Sequence, residues 1–264
     1  MNLQLEGKTA LVTGSTAGIG YAIAKGLAAE GAHVIINGRK AMDVAEKIKD
    51  LRIATNNNGI TGIAADFSKK EDIANLLKEI PDVDILVNNV GIFNQVKFED
   101  ITDEEWFEMF DINVMSGIRL ARHYFPRMLE KNNGRIIFIS SESALNIPVE
   151  MVHYGLSKTA QLAVSRGLAR LSKGSGVTVN SVLPGPTMSR ANEKDLNEQA
   201  REKGTTVEEI QREFFETRRP TSLIQRFANT EEVANMVTYI ASPLSSATNG
   251  AALRVDGGVA NYIV

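Results

Sequence analysis

The sequence predicts an α/β protein: a doubly wound, mostly parallel sheet of about seven strands with helices on both faces. Three observations lead there. Short runs rich in β-branched residues alternate with longer segments of helical period over nearly all of the 264 residues. The short runs are apolar throughout, the pattern of strands covered on both faces and hence of parallel sheets built from strand–helix–strand crossovers. A glycine-rich turn joins the first run to the first helical segment.

In chain order, the Thr-Ala-Leu-Val-Thr run predicts a strand over 9–13, and the small and apolar residues after the glycine turn a helix over 18–30. His-Val-Ile-Ile predicts a strand at 33–36, followed by a helix at 42–51; a strand at 59–64 precedes a helix at 71–80. Asp-Ile-Leu-Val at 84–87 is the fourth strand. The long helical pattern over 104–131 opens on Asp103, Glu104 and Glu105, matched to the positive end of a helix. Arg-Ile-Ile-Phe-Ile at 135–139 is the fifth strand, with a helix over 154–173 after it. The strand at 177–183, the helix at 231–241 and the strand at 251–255 complete the pattern. Residues 187–227 break it: they are charged, weakly amphipathic and lack a strand, and read either as a solvated helical insertion or as a substrate lid at the carboxyl end of a strand. No repeat or low-complexity linker divides the chain, so residues 1–264 are expected to form one domain.

Composition narrows the function classes. Apolar residues are 43% and charged residues 23%, ordinary globular usage. Twenty-nine basic against thirty-two acidic side chains give a net charge of −3, which offers no electrostatic case for nucleic acid or an anionic membrane. The absence of cysteine excludes disulfides and thiolate chemistry, and three scattered histidines supply no zinc ligand set, so no metal is expected. No apolar stretch approaches the roughly 18 residues of a membrane span, and a cytoplasmic location is expected.

The turn reads Thr13, Gly14, Ser15, Thr16, Ala17, Gly18, Ile19, Gly20. Glycines there let backbone amides approach a pyrophosphate at the positive end of the following helix. The G-x-x-x-G-x-G spacing alone would also suit a turn required only by packing; its place between first strand and first helix favours a dinucleotide. At the end of the second strand, Ile36, Asn37, Gly38, Arg39, Lys40 contain no carboxylate to hold ribose hydroxyls. Arg39, assisted by Asn37 and Lys40, can pair with a 2′-phosphate, so NADP(H) is favoured and NAD(H) stays open. Alternatively, Arg39 and Lys40 begin a solvated helix. Asp66 and Phe67 follow the third strand beside the expected adenine, where Asp66 either accepts from the adenine amino group or caps the next helix.

Tyr154, Gly155, Leu156, Ser157, Lys158 put a phenol and an ammonium four residues apart on one helix face. A phenol titrates near pH 10, and an adjacent cation stabilises the phenolate and lowers that value. Ser141 ends the fifth strand and Asn88 and Asn89 end the fourth, at the sheet edge where the glycine turn lies. Asn113 interrupts the long helix, an unfavourable position unless its side chain is used.

These residues together resemble the short-chain dehydrogenase/reductase family over essentially the whole chain. The T-G-x-x-x-G-x-G turn is found at 13–20, the catalytic serine matches Ser141, and Y-x-x-x-K matches Tyr154 and Lys158, with the usual thirteen-residue interval between serine and tyrosine. The resemblance implies a Rossmann-like fold and direct hydride transfer between nicotinamide and a carbonyl or carbinol carbon, with Tyr154 exchanging the proton, Ser141 hydrogen-bonding the substrate oxygen and Lys158 also binding the nicotinamide ribose. It further implies that Asn113 holds a water of a proton relay, and that Asn88, Gly91, Pro184, Gly185 and Thr187 lie against the cofactor. Val90 replaces the alanine of the family's N-N-A-G, narrowing the cleft.

Substrate pocket candidates by position are Val90, Phe93, Glu142, Ser143, Asn146, Pro148, Val149, Glu150, Met151, His153, Pro186 and Met188. Glu150 and His153 would select a hydroxylated or cationic molecule, or else lie in an exposed loop. Trp106, Phe107 and Phe110 read as helix-packing anchors. A 3-oxoacyl thioester reductase and a sugar or alcohol dehydrogenase are equally open, and a non-catalytic NAD(P)-binding regulator is the alternative from another class. The family commonly pairs its long helices across subunits, which implies a homotetramer or homodimer.

Overall fold

A computed structural model describes residues 2–263. The elements run β1 (Thr9–Val12), α1 (Gly18–Ala29), β2 (His33–Gly38), α2 (Ala41–Thr55), β3 (Ile60–Ala64), α3 (Lys70–Glu79), β4 (Ile85–Asn88), α4 (Asp103–Phe110), α5 (Ser116–Glu130), β5 (Gly134–Ile139), α6 (Val152–Leu171), β6 (Val177–Pro184), β7 (Thr187–Met188), α7 (Arg190–Lys203), α8 (Val207–Thr217), β8 (Ala228–Asn229), α9 (Thr230–Ala241) and β9 (Ala252–Val255). Seven strands form one parallel sheet in the order β3-β2-β1-β4-β5-β6-β9, the doubly wound Rossmann-like arrangement. The winding reverses between β1 and β4, and a crevice opens there at the strands' carboxyl ends.

The uninterrupted apolar runs have the consequence expected of them. Ala10, Val12, Val34, Ile36, Val87, Ile137 and Val182 face one side and pack on α1, α2 and α9 through residues such as Ile23, Leu27, Leu51 and Val237. Leu11, Leu86, Ile136, Phe138 and Val179 face the other and pack on α3, α5 and α6 through Leu76, Leu120, Tyr124 and Ala169. At about 25 cal/mol per Å² of apolar surface, these two layers supply most of the drive for folding.

Two expectations are refined. The helical stretch expected over 104–131 runs without a break from Asp103 to Glu130, but residues Asp111–Met115 widen into a π-turn between α4 and α5, with Asn113 in it. Residues 187–227 do contain a strand, because Thr187 and Met188 pair in parallel with Ala228 and Asn229. That two-residue ladder closes the base of an excursion made of α7 and α8, which owns a separate apolar cluster of Leu196, Ala200, Ile210, Phe215 and Phe227. Ser189 and Thr206 cap the two helices, and Gly204 ends α7 in the left-handed conformation. No helix among the described residues is long and apolar enough to cross a membrane.

Candidate active site

The turn from β1 into α1 forms a cradle. Gly14 and Gly18 have φ of 59° and 56°, a region that side chains with a Cβ seldom enter. A Cβ on Gly20 would lie 2.5 Å from both Gly14 O and Asn89 Nδ2. The start of α1 has no side-chain cap on Ala17 and no carboxylate in its first turn. Its free amides and positive dipole end therefore suit a pyrophosphate. Ser15 is fully buried, accepting from Asn37 N and donating to Val12 O, while Thr16 stays half-buried beside Gly38.

Asn37 is only 1% exposed. Its Oδ1 accepts from Gly14 N at 3.0 Å and its Nδ2 donates to the carbonyls of Ile63 and Ala65, so it braces the turn instead of assisting a 2′-phosphate. Arg39 and Lys40 are exposed at the end of β2. Asp66 caps its own turn, accepting from Ser68 N and Oγ; these bonds, together with the charges of Lys69 and Arg39, hold its carboxyl below the usual range against the effect of burial. The side chain of Phe67 belongs to the core with Ala65 and Ile73, not to an adenine pocket.

At the end of β4 the two asparagines divide the work differently from expectation. Asn89 donates from Nδ2 to Thr13 O at 2.9 Å and Gly14 O at 3.1 Å, tying β4 to the glycine turn, and it lines the cleft. Asn88 lies on the opposite side of the strand against Gly117, with neither amide atom partnered. Gly91 opens the floor, since a Cβ there would stand 3.3 Å from Lys158 Nζ and 3.4 Å from Asn113 Oδ1. Val90 packs over Gly14, not into the cleft.

Ser141, Tyr154 and Lys158 meet in a cleft of about 740 Å³ that Ile19, Gly91, Pro184, Gly185 and Thr187 also line. Ser141 acts on the Tyr154 phenol, lowering its pKa, and its Oγ accepts from Ser143 N at 3.1 Å. Lys158 Nζ lies 5.6 Å from the Tyr154 ring centre and donates to Ile139 O at 3.0 Å. Burial pushes this ammonium down to about 8. Tyr154 is pushed up to about 12, chiefly by burial, with Ser141 and Arg219 opposing and Glu142 reinforcing the rise. The expectation that the protein's own lysine lowers the phenol is corrected: desolvation outweighs a cation that reaches past the ring to a backbone carbonyl.

The π-turn places Asn113, 1% exposed, with Oδ1 accepting from Ile92 N at 2.7 Å and Nδ2 donating to Ile92 O at 2.9 Å and Ser157 Oγ at 3.0 Å. Gln161 Nε2 donates to the Asn113 carbonyl at 2.6 Å, which joins this turn to the helix bearing Tyr154. Thr187 Oγ1 donates to Gly185 O, and a Cβ on Gly185 would collide with the Asp256 backbone.

A model of the short chain dehydrogenase family matches residues 8–200. The chain belongs to the short-chain dehydrogenase/reductase family. It is an NAD(P)-dependent oxidoreductase of alcohol and carbonyl groups. It is 49% identical to an uncharacterized oxidoreductase, YvaG, of Bacillus subtilis, over 100% of both chains. It is 34% identical to a D-beta-hydroxybutyrate dehydrogenase of Rhizobium meliloti, covering 95% of this chain and 98% of the relative. The crystal structure of L-sorbose reductase from Gluconobacter frateurii, complexed with NADPH and L-sorbose, superposes with a TM-score of 0.93 at 28% identity over 100% of both chains.

Within this oxidoreductase, Phe93, Glu142, Ser143, Glu150, Met151 and Pro186 line the cleft as position suggested, whereas Val90, Asn146, Pro148, Val149, His153 and Met188 do not. His153 is fully buried, bonded through Nε2 to Asn94 Oδ1 at 2.7 Å and packed edge-on to Trp106, and burial lowers its pKa. Phe107 is 73% exposed, so it anchors no packing within the chain. Sequence position also missed one wall of the cleft: Asn192, Asp195, Gln199, Glu213, Arg218 and Arg219 reach it from α7, α8 and the segment after α8. Only the charged, weakly amphipathic character of that stretch hinted at them.

Proposed function

We propose that the protein is an NADP(H)-dependent reductase that interconverts a small polar ketone and its secondary alcohol, with Tyr154 exchanging the proton at the substrate oxygen. The observation that carries this reading is the convergence of Ser141, Tyr154 and Lys158 in the cleft that the glycine cradle borders. When bound, the nicotinamide supplies the hydride in reduction and accepts it in oxidation. With its pKa pushed up to about 12, chiefly by burial, Tyr154 carries the proton that it gives to the substrate oxygen in reduction. Ser141 donates to the same oxygen as charge develops on it. Lys158 stands under Gly91 to take the ribose, and Asn113 fixes the Ile92 backbone and the spacing of the two helices around it.

Arg39, free of any competing carboxylate at the end of β2, supports NADP(H), in line with the NADPH bound to the L-sorbose reductase of similar shape. The polar groups that α7 and α8 present, Asn192, Asp195, Gln199 and Glu213, suit a small hydroxylated ketone better than an acyl chain. In this role residues 187–227 act as the substrate lid.

The test is Tyr154→Phe. Its kcat with NADPH and a ketone is expected to fall about 10²- to 10⁴-fold while the NADPH Kd stays within about twofold. A variant that keeps a third or so of the wild-type rate overturns the assignment.

A further inference from the structure

One charged pair in the cleft wall is left unused by hydride transfer. Arg219 Nε donates to Glu142 Oε1 at 2.9 Å, with the two side chains 11% and 4% exposed. Oε1 also accepts from Ser143 Oγ at 3.4 Å, whereas Oε2 is buried without any hydrogen-bond partner. A buried carboxylate oxygen left alone is costly, and such groups persist where function uses them. Glu142 follows directly on Ser141, and both members of the pair line the cleft. Tyr154 lines the same cleft, and the charge of Glu142 acts on its phenol.

We propose that Glu142, oriented by Arg219, is a specificity-determining residue whose free carboxylate oxygen accepts a hydrogen bond from a substrate hydroxyl on the carbon next to the reacting carbonyl. The preferred substrates are then α-hydroxy ketones, and vicinal diols in the reverse direction. The proposal rests on the reductase reading above. The terminal torsion of a glutamate is broad, so the carboxylate turns toward the cleft at small cost, and Arg219, with several N–H donors in one plane, keeps a hydrogen bond to it. A ketone without that hydroxyl leaves Oε2 unpaired in a desolvated wall, the condition under which sites reject an analogue most strongly. Arg219 is a positioning residue: it arrives from the segment after α8, stacks against Phe214 at 6.0 Å and fastens that end of the lid to the residue beside Ser141.

The experiment compares NADPH-driven reduction of hydroxyacetone and methoxyacetone, which share an electron-withdrawing oxygen and differ in the hydroxyl donor. Wild-type kcat/KM is expected to favour hydroxyacetone by about tenfold or more, the scale of one hydrogen bond to a charged group. Glu142→Gln is expected to reduce that ratio at least about fivefold by lowering turnover of hydroxyacetone, with methoxyacetone changed by less than about threefold. Arg219→Lys keeps the acceptor and is expected to preserve the preference while raising KM. Equal use of the two ketones by the wild type overturns the inference whatever the variants do, and so does a Glu142→Gln enzyme with the wild-type ratio; in both cases the reductase reading stands. Turnover of neither ketone by protein that binds NADPH overturns that reading and this inference with it.

Discussion

Arg39 stands exposed at the end of β2, and its charge is felt by Asp66 after β3. A 2′-phosphate there meets an exposed guanidinium, while the Asp66 carboxylate is engaged by Ser68. Arg39→Ala is expected to weaken NADPH binding about tenfold, near 1.4 kcal/mol, and to leave NADH unchanged. Fluorescence titration of both cofactors checks it, and an unchanged NADPH affinity would refute the role. At this scale residue identity was legible and direction was not. Asn37 and Asn88 were both read as facing the cofactor, yet one braces the glycine turn and the other lies against Gly117 on the far side of β4. A strand-end residue points to one face or the other according to pleat and register, and spacing along the chain does not encode that. Phe67 shows the same limit, being claimed by the core.

At the scale of elements, periodicity located every strand of the main sheet within a residue or two: the central strands, covered on both faces, leave an apolar run, and the more exposed edge strands β3 and β9 follow from the alternation with helices. It did not show the π-turn at Asp111–Met115, whose residues are as compatible with an α-helix; tertiary bonds from Ile92, Ser157 and Gln161 hold that turn. The excursion of α7 and α8 was weakly patterned because its apolar cluster is small and largely its own. Such a unit is expected to open independently of the layers beneath it. Phe215 is 1% exposed and packs edge-on to Phe214 and Phe227 at 5.1 and 5.2 Å. Phe215→Ala, worth about 3–5 kcal/mol in a packed site, is expected to exceed what this cluster can lose. Limited proteolysis is then expected to cut first within residues 187–227, with substrate KM raised and the main thermal transition moved by only a few degrees. A single cooperative transition lowered by ten degrees or so would show that the excursion and the sheet fold as one.

Across the whole molecule, the two edges of the sheet divide chemistry from stability. The cleft lies at the carboxyl ends of the strands, whereas Arg135 sits near the opposite end of β5, 6% exposed and without a carboxylate partner among the described residues. It donates to the carbonyls of Ser242, Gly134 and Gly176, stitching together chain segments far apart in sequence, and burial lowers its pKa. Arg135→Met strips those carbonyls of their donor and is expected to cost roughly 2 kcal/mol of stability in urea unfolding, with kcat/KM of the folded enzyme unchanged. A loss of activity without a loss of stability would contradict this division. The sequence by itself determined the doubly wound sheet and the glycine turn, which rest on local periodicity and short spacing, and it offered Tyr154 and Lys158 by their spacing on one helix and Ser141 by family resemblance. Only the tertiary structure decided which asparagine faces the cofactor cradle, that burial outweighs Lys158 at the Tyr154 phenol, and that Glu142 meets Arg219 across 77 residues of chain. Those outcomes depend on which surfaces are brought together and dehydrated, and desolvation is a property of the assembled fold that no single segment carries.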